Sequence, residues 1–130
     1  QLAEEAHKYD IDPGRIFVDP LVMAVSAVND SLLIFMECIR EIKRLYPDIK
    51  TTSGLSNISY GMPCRKALNL GFLTLALSAG MDSAILDPTS RDTYTALAAA
   101  EALLGRDKYC RNFNTSYRKG KIGPVKKGQA

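Results

Sequence analysis

Two apolar runs constrain this chain more than anything else in it. RIFVDPLVM (15–23) and SAILDP (83–88) both pass from apolar and β-branched residues into Asp-Pro, giving IFVDPL in one and AILDPT in the other. Runs of this kind, bounded by turn-forming residues, predict short buried strands. A third run of strand character lies between them at 49–53. Helical patterns fill the intervals. NDSLLIFMECIREIKRLY (29–46) carries Leu32, Leu33, Phe35, Met36, Ile39, Ile42 and Leu45 near a 3.6-residue period, with Asn29 or Asp30 as a cap and Pro47 as the stop. Residues 63–79 predict the next helix, with Pro63 in its first turn and Gly80 just past its end. Residues 90–105 predict another, with Ser90 as its cap and Gly105 as its terminator. Residues 1–9 read as the end of an earlier helix.

The expected order is therefore β-α-β-α-β-α, with strand ends about 35 residues apart, the length of one β-α unit. Such an order predicts an α/β fold of consecutive β-α units, with parallel strands joined by right-handed crossovers. Proline cannot donate to a ladder, so Pro20 and Pro88 end their strands. Asp19 and Asp87 then fall at the C-terminal rim, where parallel folds bind ligands. The middle run leaves by TTSGLSNISYGMPCRK (51–66), and Gly54, Ser56, Asn57, Ser59 and Gly61 are more polar than a plain connection needs. Asn57 is expected to face a mouth shared with Asp19 and Asp87. The plainer alternatives are an Asx turn at Asn57, a backbone-satisfying strand end at Asp19, a structural cap at Asp87 and a solvated Arg65.

Length limits the architecture. A closed (β/α)8 barrel takes about 250 residues, so a chain of 130 is either a small open sheet or one part of a barrel. Its opening QLAEEAHKY reads as mid-helix with no capping residue ahead, so a piece of something longer is expected. With 46% hydrophobic and 24% charged residues the composition is that of a soluble globular domain. No apolar stretch is long enough for a membrane helix, and the charged start lacks a signal-peptide pattern. Cys38, Cys64 and Cys110 form no CxxC pair, and His7 is the only histidine, so no metal set is expected and a reducing, cytoplasmic setting is. The four methionines read as core or loop filling. Residues 106–130 hold eight Lys or Arg against Asp107 alone. This predicts a domain over 1–115 followed by a basic, flexible tail over 116–130, with no aromatic interleaving of the kind that reads nucleic acid.

DPLVMAVS, then GLSNISYGMPCRKALN, then AGMDSAILDP, at this spacing, resemble the pterin-binding methyltransferases. These are the methyltetrahydrofolate:corrinoid/iron–sulfur protein methyltransferases, with the folate domain of cobalamin-dependent methionine synthase and dihydropteroate synthase as more distant kin. The likeness spans residues 1–115 and implies the C-terminal part of a TIM barrel. It implies that methyltetrahydrofolate lies across the mouth and that its N5 methyl passes to or from the Co(I) corrinoid of a separate partner protein. Asp19 would be a pterin-ring carboxylate, Asn57 the amide reaching N5, and Arg65 a neighbour of the substrate's polar end. Ser56, Tyr60 and Gly54 would border the pocket. The aspartate and asparagine that the family takes from earlier strands have no counterpart here, so the chain as it stands is expected to be an inactive fragment. A dihydropteroate synthase would show a Ser-Arg-Lys loop and a late Arg-x-His segment. GLSN and SYRKGKIG stand in those places. A third reading is a non-catalytic half-barrel that dimerises through its open sheet edges.

The residue types suit that chemistry. A tertiary amine leaves poorly unless N5 gains a proton or hydrogen bond as the C–N bond breaks. An amide can donate and accept there without a charge to desolvate. A carboxylate can take two parallel hydrogen bonds from the amino and N3 edge of a pterin, as it does from a guanidinium.

Overall fold

The computed structural model describes residues 1–125. They fall into two compact units, Gln1–Ile85 and a second beginning at Leu86.

The first unit opens with α1 (Leu2–Lys8). Asp10 adopts a left-handed conformation (φ 54°), and the N–H groups of Asp10 and Ile11 close the helix on the His7 and Ala6 carbonyls. After a 3-10 turn at Pro13–Arg15 come β1 (Phe17–Val18), α2 (Ser31–Leu45), β2 (Lys50–Thr51) and α3 (Arg65–Ala79). β1 and β2 pair in parallel, Phe17 with Lys50 and Val18 with Thr51. The helix spans follow the hydrophobic period closely, and the strands are much shorter than their apolar runs. The third expected strand is a single parallel bridge, Gly54 with Ile85. Asp82 and Ser83 both direct their N–H groups to the Thr51 carbonyl at 3.1 Å instead of stepping along a ladder. That convergence leaves only Ile85, bonded to Ser53 O at 2.8 Å, in strand register.

Two end signals act differently from expectation. Asp30 precedes α2, but its side chain caps nothing. Pro63 lies outside α3, because Cys64 takes a left-handed conformation (φ 54°) and the helix starts at Arg65. Gly80 (φ 112°) ends α3 as expected, with Met81 N–H bonded to Ala76 O.

The core of this unit lies between the inner faces of α2 and α3 and the residues beneath them. Phe35, Met36 and Ile39 face Phe72, Leu73, Ala76 and Leu77, with Ile49, Ile58 and Met81 also buried. Phe35 and Phe72 meet edge to face at 5.4 Å. Each large side chain buried this fully contributes about 1.5–3 kcal/mol of transfer free energy. A polar clamp joins α2 to β2 and the segment after α3. The Asp82 carboxylate pairs with Lys43 and accepts the Thr51 N–H at 2.8 Å and the Thr51 hydroxyl at 3.3 Å. Partial burial pushes this carboxyl up, but the bonds from Lys43 and Thr51 and the Lys43 charge outweigh it and hold the group below the ordinary aspartate value.

The second unit contains α4 (Arg91–Leu103) and α5 (Arg111–Arg118). Ser90 caps α4, its hydroxyl accepting the Thr93 N–H at 3.3 Å. Gly105 (φ 73°) ends it, with Gly105 and Arg106 bonded back to Ala102 and Glu101. Asp107 is buried and caps α5 twice, accepting the Asn112 N–H at 3.0 Å and the Phe113 N–H at 2.9 Å. Beyond α5, Ile122 is buried, and Arg91 donates to the Gly123 carbonyl at 2.6 Å and the Ile122 carbonyl at 3.2 Å. The remainder of the expected tail, residues 126–130 with Lys126 and Lys127, lies outside the described residues.

Candidate active site

At the C-terminal ends of β1 and β2 an open pocket is lined by Asp19, Leu21, Val22, Ser53, Gly54, Asn57 and Ile85. Asp19 reaches it through an Asx turn: Oδ1 accepts the Leu21 N–H at 2.8 Å. Pro20 has no N–H to continue the strand, and Leu21 turns the chain in a left-handed conformation (φ 59°) with its side chain exposed. Asn57 begins a 3-10 turn, Asn57–Ser59, in the loop after β2. Its Nδ2 donates to the Val22 carbonyl. An amide has two donor hydrogens and an acceptor oxygen, so Asn57 keeps one N–H and Oδ1 with no bond among the described residues. Gly54 fits a pocket wall, since a Cβ there would meet nothing within 4 Å. Gly61 (φ 76°) makes the sharp turn expected of it.

The two loops are also joined by backbone. Val25 N–H donates to Ile58 O at 2.9 Å, and the Ser26 hydroxyl donates to Tyr60 O at 2.7 Å. Of the residues expected at the site, the pocket brings together Asp19, Gly54 and Asn57. Ser56, Tyr60 and Arg65 are outside its lining. The Tyr60 ring is exposed. The Arg65 guanidinium is bonded to the loop itself, to Ser56 O at 2.8 Å and Ser59 Oγ at 3.1 Å. Asp87, in the second unit, is engaged by its own turn, Oδ1 accepting the Thr89 N–H at 2.9 Å and the Thr89 hydroxyl at 2.7 Å. Those bonds, the hydroxyl's first, hold its carboxyl below the ordinary value.

Sequence reasoning passes over Val22, Ser53 and Ile85, whose roles rest on backbone or small side chains and leave no compositional mark. Ser59 stood out only as one of several polar loop residues, and Asn69 was passed over. Asn69 did leave a signal, a polar residue of low helix propensity inside the apolar helix segment ALNLGFL. Among the described residues no group of three or more His, Cys, Asp or Glu is gathered to hold a metal, and no helix is long and apolar enough to cross a membrane.

The described chain is thus a parallel α/β segment with a carboxylate and an amide lining one pocket at its strand ends, and comparison with known proteins shows what it is similar to. No family model matches the chain. It is 53% identical over 124 residues to the methylcorrinoid:tetrahydrofolate methyltransferase of Eubacterium limosum, covering 95% of this chain and 46% of that protein. It is 37% and 34% identical over 84 residues to the methionine synthases of Mycobacterium tuberculosis and Mycobacterium leprae, covering 60% of this chain and 7% of each. These likenesses agree with the resemblance to the pterin-binding methyltransferases carried by the chain's motifs. The chain spans slightly under half the length of its Eubacterium relative.

Proposed function

We propose that this chain is the C-terminal part of a (β/α)8 barrel whose complete form moves a methyl group between N5 of tetrahydrofolate and a corrinoid held by a partner protein. The observation that carries this reading is the meeting of Asp19 and Asn57 in one pocket at the strand ends, in a chain so similar to a methylcorrinoid:tetrahydrofolate methyltransferase. The partner's corrinoid supplies or accepts the methyl group.

Asp19 keeps Oδ2 and the second lone pair of Oδ1 for the amino and N3 edge of the pterin, since the Asx turn occupies one position of Oδ1 alone. Asn57 has its amide tied to Val22 by one hydrogen, which leaves the second N–H and Oδ1 for N5. In the direction that the relative's name gives, N5–H becomes acidic as it takes the methyl; Oδ1 can accept a hydrogen bond from it while the proton passes to solvent in the open pocket. In the reverse direction the free N–H bonds to N5 as the C–N bond breaks, and solvent supplies the proton that N5 gains. One amide thus serves both directions without carrying charge. Gly54 lets the flat ring approach the loop backbone, while Ser56 and Tyr60 stay outside the lining.

Phe17 (58% exposed) and Ile85 (72%) lie uncovered at the small sheet, although parallel sheets ordinarily have both faces covered. The remaining β-α units would close that face in the complete protein, and a second copy would close it in this chain alone, giving a homodimer that lacks activity. Cys38, Cys64 and Cys110 are free and exposed, which suits the reducing cytoplasm.

The test is Asn57→Ala in the complete protein. Methyl transfer should slow by about 10²–10³-fold with tetrahydrofolate affinity little changed. Unchanged turnover would remove Asn57 from the mechanism.

A further inference from the structure

The side chains that hold the Asn57 loop converge on one buried hydroxyl. Ser59 is 0% exposed. Its Oγ donates to Ser56 O at 3.2 Å, accepts Arg65 Nε–H at 3.1 Å, and lies 2.6 Å from the Asn69 amide. With the Asn69 NH2 turned to the loop, that amide donates to Ser59 Oγ and, at 3.0 Å, to the Leu55 carbonyl; the opposite orientation would set its oxygen against the Leu55 and Arg65 carbonyls. A hydroxyl has one donor and two acceptor positions, and Ser59 uses all three. The anchored groups are Leu55 O, Ser56 O and Ser59 Oγ, two residues just before Asn57 and one just after it. The anchors come from α3, where Arg65 and Asn69 stand one turn apart on a single face. Asparagine is unfavourable inside a helix, and both bonds that Asn69 makes beyond its own helix go to this loop.

We propose that Asn69 is a positioning residue which, through Ser59 and together with Arg65, fixes the loop so that the free N–H and Oδ1 of Asn57 face the pocket. This inference rests on the reading of Asn57 as the group that meets N5. Val22 holds the amide from one side, and the α3 anchors hold its backbone from the other. A group that acts on a single atom needs such support, because small misplacements of a reacting group are costly in rate. On this account Arg65 serves the loop and not the polar end of the substrate.

Two measurements test it. In the 130-residue chain, hydrogen exchange is compared for wild type, Asn69→Asp and Ser59→Ala. Asn69→Asp keeps the shape, removes the donors and sets a carboxylate against the Leu55 carbonyl. The Ser59, Tyr60 and Met62 amides, bonded to Ser56, Asn57 and Ser59 carbonyls, should exchange at least about 10-fold faster while core amides of α2 and α3 keep their protection. If Asn69→Asp does not fold, Ser59→Ala decides. Unchanged loop exchange in the folded variants overturns the proposal. In the complete protein, Asn69→Asp should lower turnover about 10-fold, hold tetrahydrofolate affinity within about 3-fold, and add no loss on top of Asn57→Ala. An equal loss in both backgrounds makes Asn69 merely structural and overturns the positioning role. If Asn57→Ala itself leaves turnover unchanged, the catalytic reading of Asn57 falls, and the exchange result alone decides whether Asn69 holds the loop.

Discussion

Asp19-Pro20-Leu21 and Asp87-Pro88-Thr89 are the same device with different outcomes. In each, the aspartate Oδ1 accepts the N–H two residues on, at 2.8 and 2.9 Å. The third residue separates them. Thr89 adds its hydroxyl to the Asp87 oxygen, so that charge is satisfied inside its own turn. Leu21 can add nothing, and its left-handed backbone carries the chain on to Val22, whose carbonyl holds Asn57. An Asp-Pro pair after an apolar run is therefore a strand-ending signal. It becomes part of a site only where a second loop brings a complementary group beside it.

The comparison breaks most readily at Asp19. In the complete protein, Asp19→Ala should weaken tetrahydrofolate binding roughly 10- to 100-fold, the loss of hydrogen bonds to a charged group. Asp87→Ala should stay within about 3-fold, as expected of a residue outside the binding machinery. Equal losses by calorimetric titration would erase the distinction. Asp82 extends the contrast with a carboxylate whose work is stability. Asp82→Asn should cost the 130-residue chain about 1–3 kcal/mol near neutral pH, read by urea unfolding. Its folded pKa is depressed, so the wild-type advantage is complete above the ordinary aspartate value and disappears as pH falls through the lower folded one. An advantage that persists in strong acid would rule out the charge as its source. The smallest effect belongs to Thr89→Ala, which should let the Asp87 pKa rise toward the ordinary value in a carboxylate NMR titration. No rise would mean that the hydroxyl does not set Asp87 apart.

Helices and helix ends were the most legible part of the sequence, because a 3.6-residue apolar period, Ser90, Gly80 and Gly105 each act locally. Parallel pairing was legible in the alternation of elements. Strand lengths were not, since a strand lasts only as long as its neighbours pair with it, and Asp82 and Ser83 both spend their N–H groups on Thr51. The lining of the candidate pocket was half legible. Asp19, Gly54 and Asn57 announced themselves by type and place. The inward turn of Arg65 and the Ser59–Asn69 contact depend on distances between segments that no local pattern encodes. α5 was masked by its own basic composition, and its start depends on Asp107, whose buried capping bonds look like one more charge in the sequence.

The clamp formed by Lys43, Thr51 and Asp82 also bears on the order in which the chain assembles. Its bond from Thr51 to Asp82 spans 31 positions, so it forms only after a long interval has closed at an entropic cost that the helices do not share. We predict that the tie forms after the two helices have packed, as φ-value measurements at Thr51 and Asp82 would show. Weakening it should leave the rate of collapse nearly untouched and quicken the escape from the native state.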